Sequence, residues 1–445
     1  MNIMGKWLGK IAAAALFTVL LSAALAGNAS AWDDGRGTGI VQPGSMWDAG
    51  AAVQASGISG GAGGASSGVE GNDGLGSQST DADLDSMARE LGIQDEMEGL
   101  QQFLNEVMGQ QDNSVGNFSF WGLMKELVTG NLKGILGQAG AGIRNTLFSE
   151  VDRGGRMLFQ VAAIGIIGAV FSNVSSVFKG GQISDTGFFV TYLLLFTCLA
   201  ASFAASLQVA AQVLEQILQF MRLLMPAYFM SVAFSGGSMS ALALYEGMLG
   251  AVTLVQWLCS TALLSMVKIY VLMVLGSHVV KEALLTRLTD LLEQAVQWSL
   301  KTLTGLVVGF HLIQAMILPY ADAAGQAGFK RLLEIIPGLG QGAGAMAQMV
   351  LGSGVLIKNT MGAAAVVVLV VITVIPIIKL MVLMVLYQCV AAVMQPICDK
   401  RVVSCVSGVS KGHRLLIQIV LYSMFLFMIS IAITCASTNV NYFAS

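Results

Sequence analysis

The residues best placed to do chemistry in this chain are ionisable side chains that interrupt otherwise apolar runs. Lys379 stands three residues after Pro376 within such a run. Proline frees a backbone carbonyl and bends a helix, and a lysine beside it must find a partner or water. Arg222 precedes Pro226 in a second run, and Glu246 and Lys268 interrupt a third. Charges at such positions mark a polar path through lipid, or else snorkel to an interface.

Other catalytic signatures are missing or misplaced. No Gly-x4-Gly-Lys-Ser/Thr loop occurs, which argues against ATP hydrolysis by this chain. The run from Gly338 to Gly344 imitates a dinucleotide fingerprint but follows a membrane span rather than a strand. Gly64-Ala65-Ser66-Ser67-Gly68 has the nucleophile-elbow pattern, yet sits in a Gly/Ser-rich linker. His278, His311 and His413 are far apart and lack metal-ligand spacing, and the six cysteines show no Cys-x-x-Cys pair. Cys398 and Cys405 could bridge only on an oxidising side of the membrane. Catalysis, a metal and a cofactor are all without support in these patterns.

The elements that must position the charged residues are membrane helices. Hydrophobic residues make up 55% of the chain and charged ones 11%, with a mean hydropathy of +0.73; soluble domains carry roughly 25% charged residues. The clearest apolar runs are Met157–Phe178, Phe188–Ala211, Leu303–Leu318, Ala363–Leu386 and Leu415–Ala436, with Met239–Val280 holding one span or two. Crossing about 30 Å of hydrocarbon takes roughly 20 apolar residues as helix. The fold class is therefore all-α, a polytopic membrane protein of six to eight spans over 157–437. A net charge of −3 leaves no basic footprint for nucleic acid, and the bulk partner is membrane lipid.

Residues 1–31 read as a secretory signal, with Lys6 and Lys10 before an apolar core and Ala29-Ser30-Ala31 as cleavage site. Residues 32–80 are a Gly/Ser-rich linker. Residues 81–156 form an extracytoplasmic amphipathic region. Its first helix is capped by Asp83 or Asp85, and a second stretch around Phe118–Leu136 suits the membrane surface, a partner, or a cap on the membrane domain. Lys281–Thr302 suits a helix along the interface. Phe329–Gly362 is Gly-rich and too polar for a lipid-facing span. It is expected as a re-entrant or pore-lining hairpin or as a surface loop with short helices. Lys400, Arg401, Lys411 and Arg414 place the last loop in the cytoplasm. Splitting Met239–Val280 and counting Leu214–Phe234 separately would then give seven spans before that loop and eight in total.

A set of local patterns runs in order along the membrane region. They are Leu224-Met225-Pro226, Phe234-Ser235-Gly236-Gly237, Ile336-Pro337-Gly338-Leu339-Gly340, the stretch Gly354 to Gly362 containing Lys358-Asn359, Pro376-Ile377-Ile378-Lys379, and Gln395-Pro396-Ile397-Cys398-Asp399-Lys400-Arg401. In their combination, over roughly residues 85–440, the chain resembles the stage III sporulation protein AE family of endospore-forming bacteria. The resemblance implies a non-enzymatic, export-gate-like or platform subunit of a channel complex between mother cell and forespore, required after engulfment. It implies as partners the other stage III sporulation A-operon proteins, including a separate ATPase and ring-forming subunits, and the forespore-side stage II sporulation protein Q. It implies a location in the mother-cell membrane around the forespore. Lys358, Asn359, Pro376, Lys379, Arg222, Pro226, Glu246, Pro337, Gly338, Pro396 and Asp399 are the residues expected to line or brace the conduit. The alternative is a stand-alone secondary transporter of a small solute, for which a helix broken near Pro376 would be the feature.

Overall fold

Long apolar stretches with few prolines favour long helices, and the computed structural model consists of them. It describes residues 92–110, 119–129, 132–175, 181–235, 238–277, 286–334 and 342–439. The signal, the linker, the Asp83 and Asp85 caps, Pro337 and Gly338 lie outside those residues. Two short helices come first, α1 (Gln94–Gln110) and α2 (Phe120–Thr129). The long ones follow as α3 (Leu132–Ser175), α4 (Gly181–Phe234), α5 (Ser238–Trp257), α6 (Leu264–Ser277), α7 (Thr286–Glu334), α8 (Gly342–Met394) and α9 (Lys400–Asn439). A single π turn, Leu258–Leu263, joins α5 to α6 into one rod. No strand occurs among the described residues.

Among the described residues, six helical stretches are long and apolar enough to cross a membrane: Arg144–Val170, Phe189–Phe234, Ala241–Ser277, Arg287–Ile317, Gly354–Met394 and Lys400–Thr438. The chain is a polytopic α-helical membrane protein. Four expectations are corrected by helix continuity. Phe188–Ala211 and Leu214–Phe234 belong to the one helix α4, and Met239–Val280 does not divide into two spans, because the π turn bends no chain back. That leaves five candidate spans before the α8–α9 turn, not seven. Gly342–Gly362 is the first part of α8 rather than a re-entrant hairpin or a loop with short helices. Lys281–Thr302 is not a separate interfacial helix either, since 286–302 opens the continuous α7.

α8 and α9 form the centre. Their apolar windows are 56% and 61% buried within the chain, against 22% for α7. The two helices run antiparallel in a register fixed by three hydrogen bonds. Ser410 Oγ donates to the Met384 carbonyl at 2.9 Å, Thr373 Oγ1 to Met424 Sδ at 2.8 Å, and Lys358 Nζ to the Thr438 carbonyl at 3.1 Å. α4 lies parallel to α9 and antiparallel to α8, with Ser202 against Tyr387 at one end and Tyr228 against Gly362 at the other. α3 runs parallel to α8: Glu150 meets Lys379, and a Cβ on Gly154 would touch Leu383 and Leu386. α1 packs on α4 and α2 on α8, burying Met97, Leu100, Leu104, Phe120 and Met124 almost completely. The Phe120 amide donates to Gln101 Oε1 at 2.7 Å and ties the pair together. These helices are thus a cap on the membrane domain itself, one of the readings the sequence left open.

Close approach of α9 to α6 depends on glycine. A Cβ at Gly408 would stand 2.1 Å from Val274 Cγ1, and one at Gly412 would stand 2.4 Å from Val271 Cγ2. Membrane helices gain no hydrophobic drive from each other, so this van der Waals contact is the main attraction. Gly408→Ala is expected to lower the thermal stability of the detergent-solubilised protein by about 1–3 kcal/mol through overpacking. The double variant Gly408→Ala/Val274→Ala should recover most of that loss in the same melt.

Candidate functional site

Lys379 and Lys358 are the two lysines on the core helix α8, and the fold gives each a different answer. Lys379 Nζ lies 3.6 Å from Glu150 Oε1, and Arg153 Nη1 lies 3.1 Å from the same oxygen. The Glu150 side chain is 9% exposed and that of Lys379 27%. A carboxylate between two cations is thus held on α3 at the height of Pro376–Lys379. Glu150 was not singled out by the sequence. Its only signal was the charge cluster Glu150–Arg156 just ahead of an apolar run, which reads as a helix boundary rather than as a partner for a residue far along the chain.

Lys358 is fully buried. Its ammonium group hydrogen-bonds the carbonyl of Thr438, one residue before α9 ends at Asn439. The last carbonyls of a helix lack intrahelical partners and carry the negative end of the macrodipole, so a lysine there caps the helix. Beside it Tyr228 hydroxyl donates to Cys435 Sγ at 3.2 Å, and Gly362 leaves room for that sulfur. Asn359 is half-buried, with its Oδ1 enclosed and without a hydrogen-bond partner.

The remaining predicted residues are scattered rather than brought together. Pro376 is buried inside α8, which continues through it without interruption. The broken helix on which the transporter reading leaned is absent. Pro226 is half-buried inside α4. Asp399 caps α9, its Oδ1 accepting the Arg401 amide at 2.9 Å, and Pro396 occupies the exposed turn before it. Arg222 and Glu246 are exposed on α4 and α5. Cys398 and Cys405 are free thiols; Cys405 is buried on α9 and accepts a hydrogen bond from the Tyr192 hydroxyl.

The fold also assembles a polar cluster that spacing alone concealed. His413 on α9 and Ser206 on α4 are both buried, with Nε2 and Oγ 2.8 Å apart. His413 Nδ1 lies 2.9 Å from the Val409 carbonyl, so Nδ1 carries the proton and Nε2 accepts from the serine. Tyr387 hydroxyl bonds to Ser202, and its ring and that of Phe203 enclose the imidazole at centroid distances of 5.2 and 5.4 Å. A serine–histidine contact invites a nucleophile–base interpretation. Here the third partner is a carbonyl rather than a carboxylate, and both side chains are closed off by aromatic rings. The arrangement satisfies buried polar groups across α4, α8 and α9. No cluster of three or more His, Cys, Asp or Glu side chains able to hold a metal occurs among the described residues. Between α7 and α9, Arg414 and Glu293 form a further ion pair.

Fold and site together define a multi-helix membrane protein whose conspicuous polar residues mostly lock helices to one another. Residues 118–438 match the family model described as Stage III sporulation protein AE, and the chain belongs to that family. It is also 20% identical over 294 residues to Stage III sporulation protein AE of Bacillus subtilis (strain 168), covering 66% of this chain and 74% of that relative. No solved structure matches the chain. It is therefore a sporulation protein of the membrane.

Two predictions follow from the contacts. Charge reversal at Lys379 alone (Lys379→Glu) places two carboxylates together and should sharply lower the amount of folded protein in membranes, whereas Glu150→Lys/Lys379→Glu restores the attraction and should restore the amount, measured by immunoblot. Ser206→Ala strands the imidazole acceptor and should cost about 1–3 kcal/mol of thermal stability. Ser206→Ala/His413→Phe, which removes both polar partners, should melt closer to the parent; a catalytic pair would instead lose function in both variants.

Proposed function

We propose that this chain is a non-enzymatic membrane subunit of a channel complex connecting mother cell and forespore, acting after engulfment. The observation that carries the reading is the family match, which spans the whole helical bundle and its second cap helix. The architecture is compatible with it. Among the described residues, five candidate spans lie between α2 and the α8–α9 turn. With the basic residues Lys400, Arg401, Lys411 and Arg414 cytoplasmic, an odd number of crossings puts α1 and α2 on the opposite side. There the cap is available to extracytoplasmic ring-forming subunits and, through them, to stage II sporulation protein Q. ATP hydrolysis falls to a separate subunit of the assembly, because the chain has no phosphate-binding loop of its own.

The test is a clean deletion scored for growth, engulfment by membrane staining, and heat-resistant spore yield. Normal growth and completed engulfment, followed by arrested forespores and a collapse in spore yield, are expected. Undiminished sporulation, or a defect already present in vegetative growth, would sink the proposal.

A further inference from the structure

Between Gln208 and Arg222, the exposed residues of α4 are Gln208, Gln212, Glu215, Gln219 and Arg222, and every one of them is polar. The positions between them are buried or half-buried, among them the apolar residues Val213, Leu214, Ile217, Phe220 and Met221. The five recur at intervals of four, three, four and three residues, which places them along one helix face. α4 thus points apolar residues into the bundle and polar ones outward, the reverse of a lipid-facing helix. α7 differs. At the matching height, about 295–309 by the Arg414–Glu293 and Gly247–Gln314 contacts, it exposes the apolar Trp298 and Leu306 together with Lys301 and Thr302, and from Leu306 to Ile317 its exposed residues are all apolar.

The stripe begins next to the level of Arg414, through the Ser206–His413 contact, and runs from there into the apolar part of the bundle. Ser202, near one end, bonds Tyr387, and Tyr228, beyond the other, sits against Gly362. Between these contacts α4 runs alongside the α8 stretch 362–387, in the span with the highest mean hydropathy of the six, 3.0. Polar side chains on the outside of the bundle at that depth must meet something other than hydrocarbon, because desolvating a guanidinium and a carboxylate there is costly. A tight seam with a second copy is disfavoured. Copies inserted in one orientation would set Glu215 against Glu215 and Arg222 against Arg222, and long glutamines replace the small residues that close membrane packing requires. Water satisfies all five.

We propose that the α4 face of Gln208, Gln212, Glu215, Gln219 and Arg222 lines a water-filled polar path through the membrane. The proposal rests on the channel reading and assigns its conduit surface to α4, in place of Lys358 and Lys379, whose side chains hold helices together.

Single cysteines test it in the full chain carrying Cys198→Ser, Cys389→Ser and Cys398→Ser. Gln212→Cys and Gln219→Cys are compared with Trp298→Cys and Leu306→Cys, exposed apolar positions of α7 at the same heights. Membranes isolated from sporulating cells and opened to both sides are treated with a charged, impermeant methanethiosulfonate. Total thiol after denaturation normalises for the amount of protein. A water-facing thiol ionises and reacts, so the α4 positions should label about tenfold faster or more than the α7 positions. Equal, slow labelling of both sets overturns the inference. Efficient oxidative cross-linking of Gln212→Cys or Gln219→Cys between copies overturns it too, because the face is then a dry seam. Spore yield of the deletion strain judges the channel reading separately, so failure of the α4 labelling with a sporulation-defective deletion strain removes only the assignment to α4.

Discussion

Everything in this bundle is arranged around the antiparallel contact of α8 and α9. These two helices are the most enclosed, and each other long helix touches at least one of them. Their register is set by polar bonds at three heights, from Lys358 at the end of α9 to Ser410 near the connecting turn. In hydrocarbon a hydrogen bond has little competition from water, so such bonds select a register although each is worth only about 1 kcal/mol. Asp399 starts α9 and Lys358 satisfies its end. The central helix is therefore capped at both termini by residues outside its own repeating structure.

The same constraint explains the rest of the interior. A polar group inside a membrane protein has to be satisfied within the protein. Ser206, His413, Ser202 and Tyr387 do so across three helices, and Tyr192 and Tyr228 do so with cysteine thiols and a backbone carbonyl. Glu150 bridges Lys379 and Arg153 where α3 packs against α8. The glycines at 408 and 412 let backbones come close enough for such short side chains to reach. Chemistry that looks reactive in isolation is here the means by which helices recognise one another. The exterior is less uniform, apolar on α7 from Leu306 to Ile317 and polar on α4 from Gln208 to Arg222.

What the sequence determined by itself is the class. Apolar runs of sufficient length, scarce charge and few prolines require membrane helices, because a helix satisfies its backbone within one long apolar segment, whereas barrel strands are only about ten residues long and alternate in polarity. The combination of local patterns around Pro226, Lys358, Pro376 and Asp399 was enough to indicate the family. Only the folded chain decided how the apolar runs divide into helices, since hydropathy is blind to whether α4 continues through Ala211–Leu214 or turns there. It alone decided which charges are paired: Glu150 and Lys379 are far apart in the chain and meet only because α3 and α8 run parallel. It also separated the exposed Arg222 from the buried Lys358, two cations in apolar surroundings that look alike in one dimension. Helical periodicity says which residues share a face, but only the packed neighbours say whether that face meets protein. That is a property of distant segments, which no local pattern encodes.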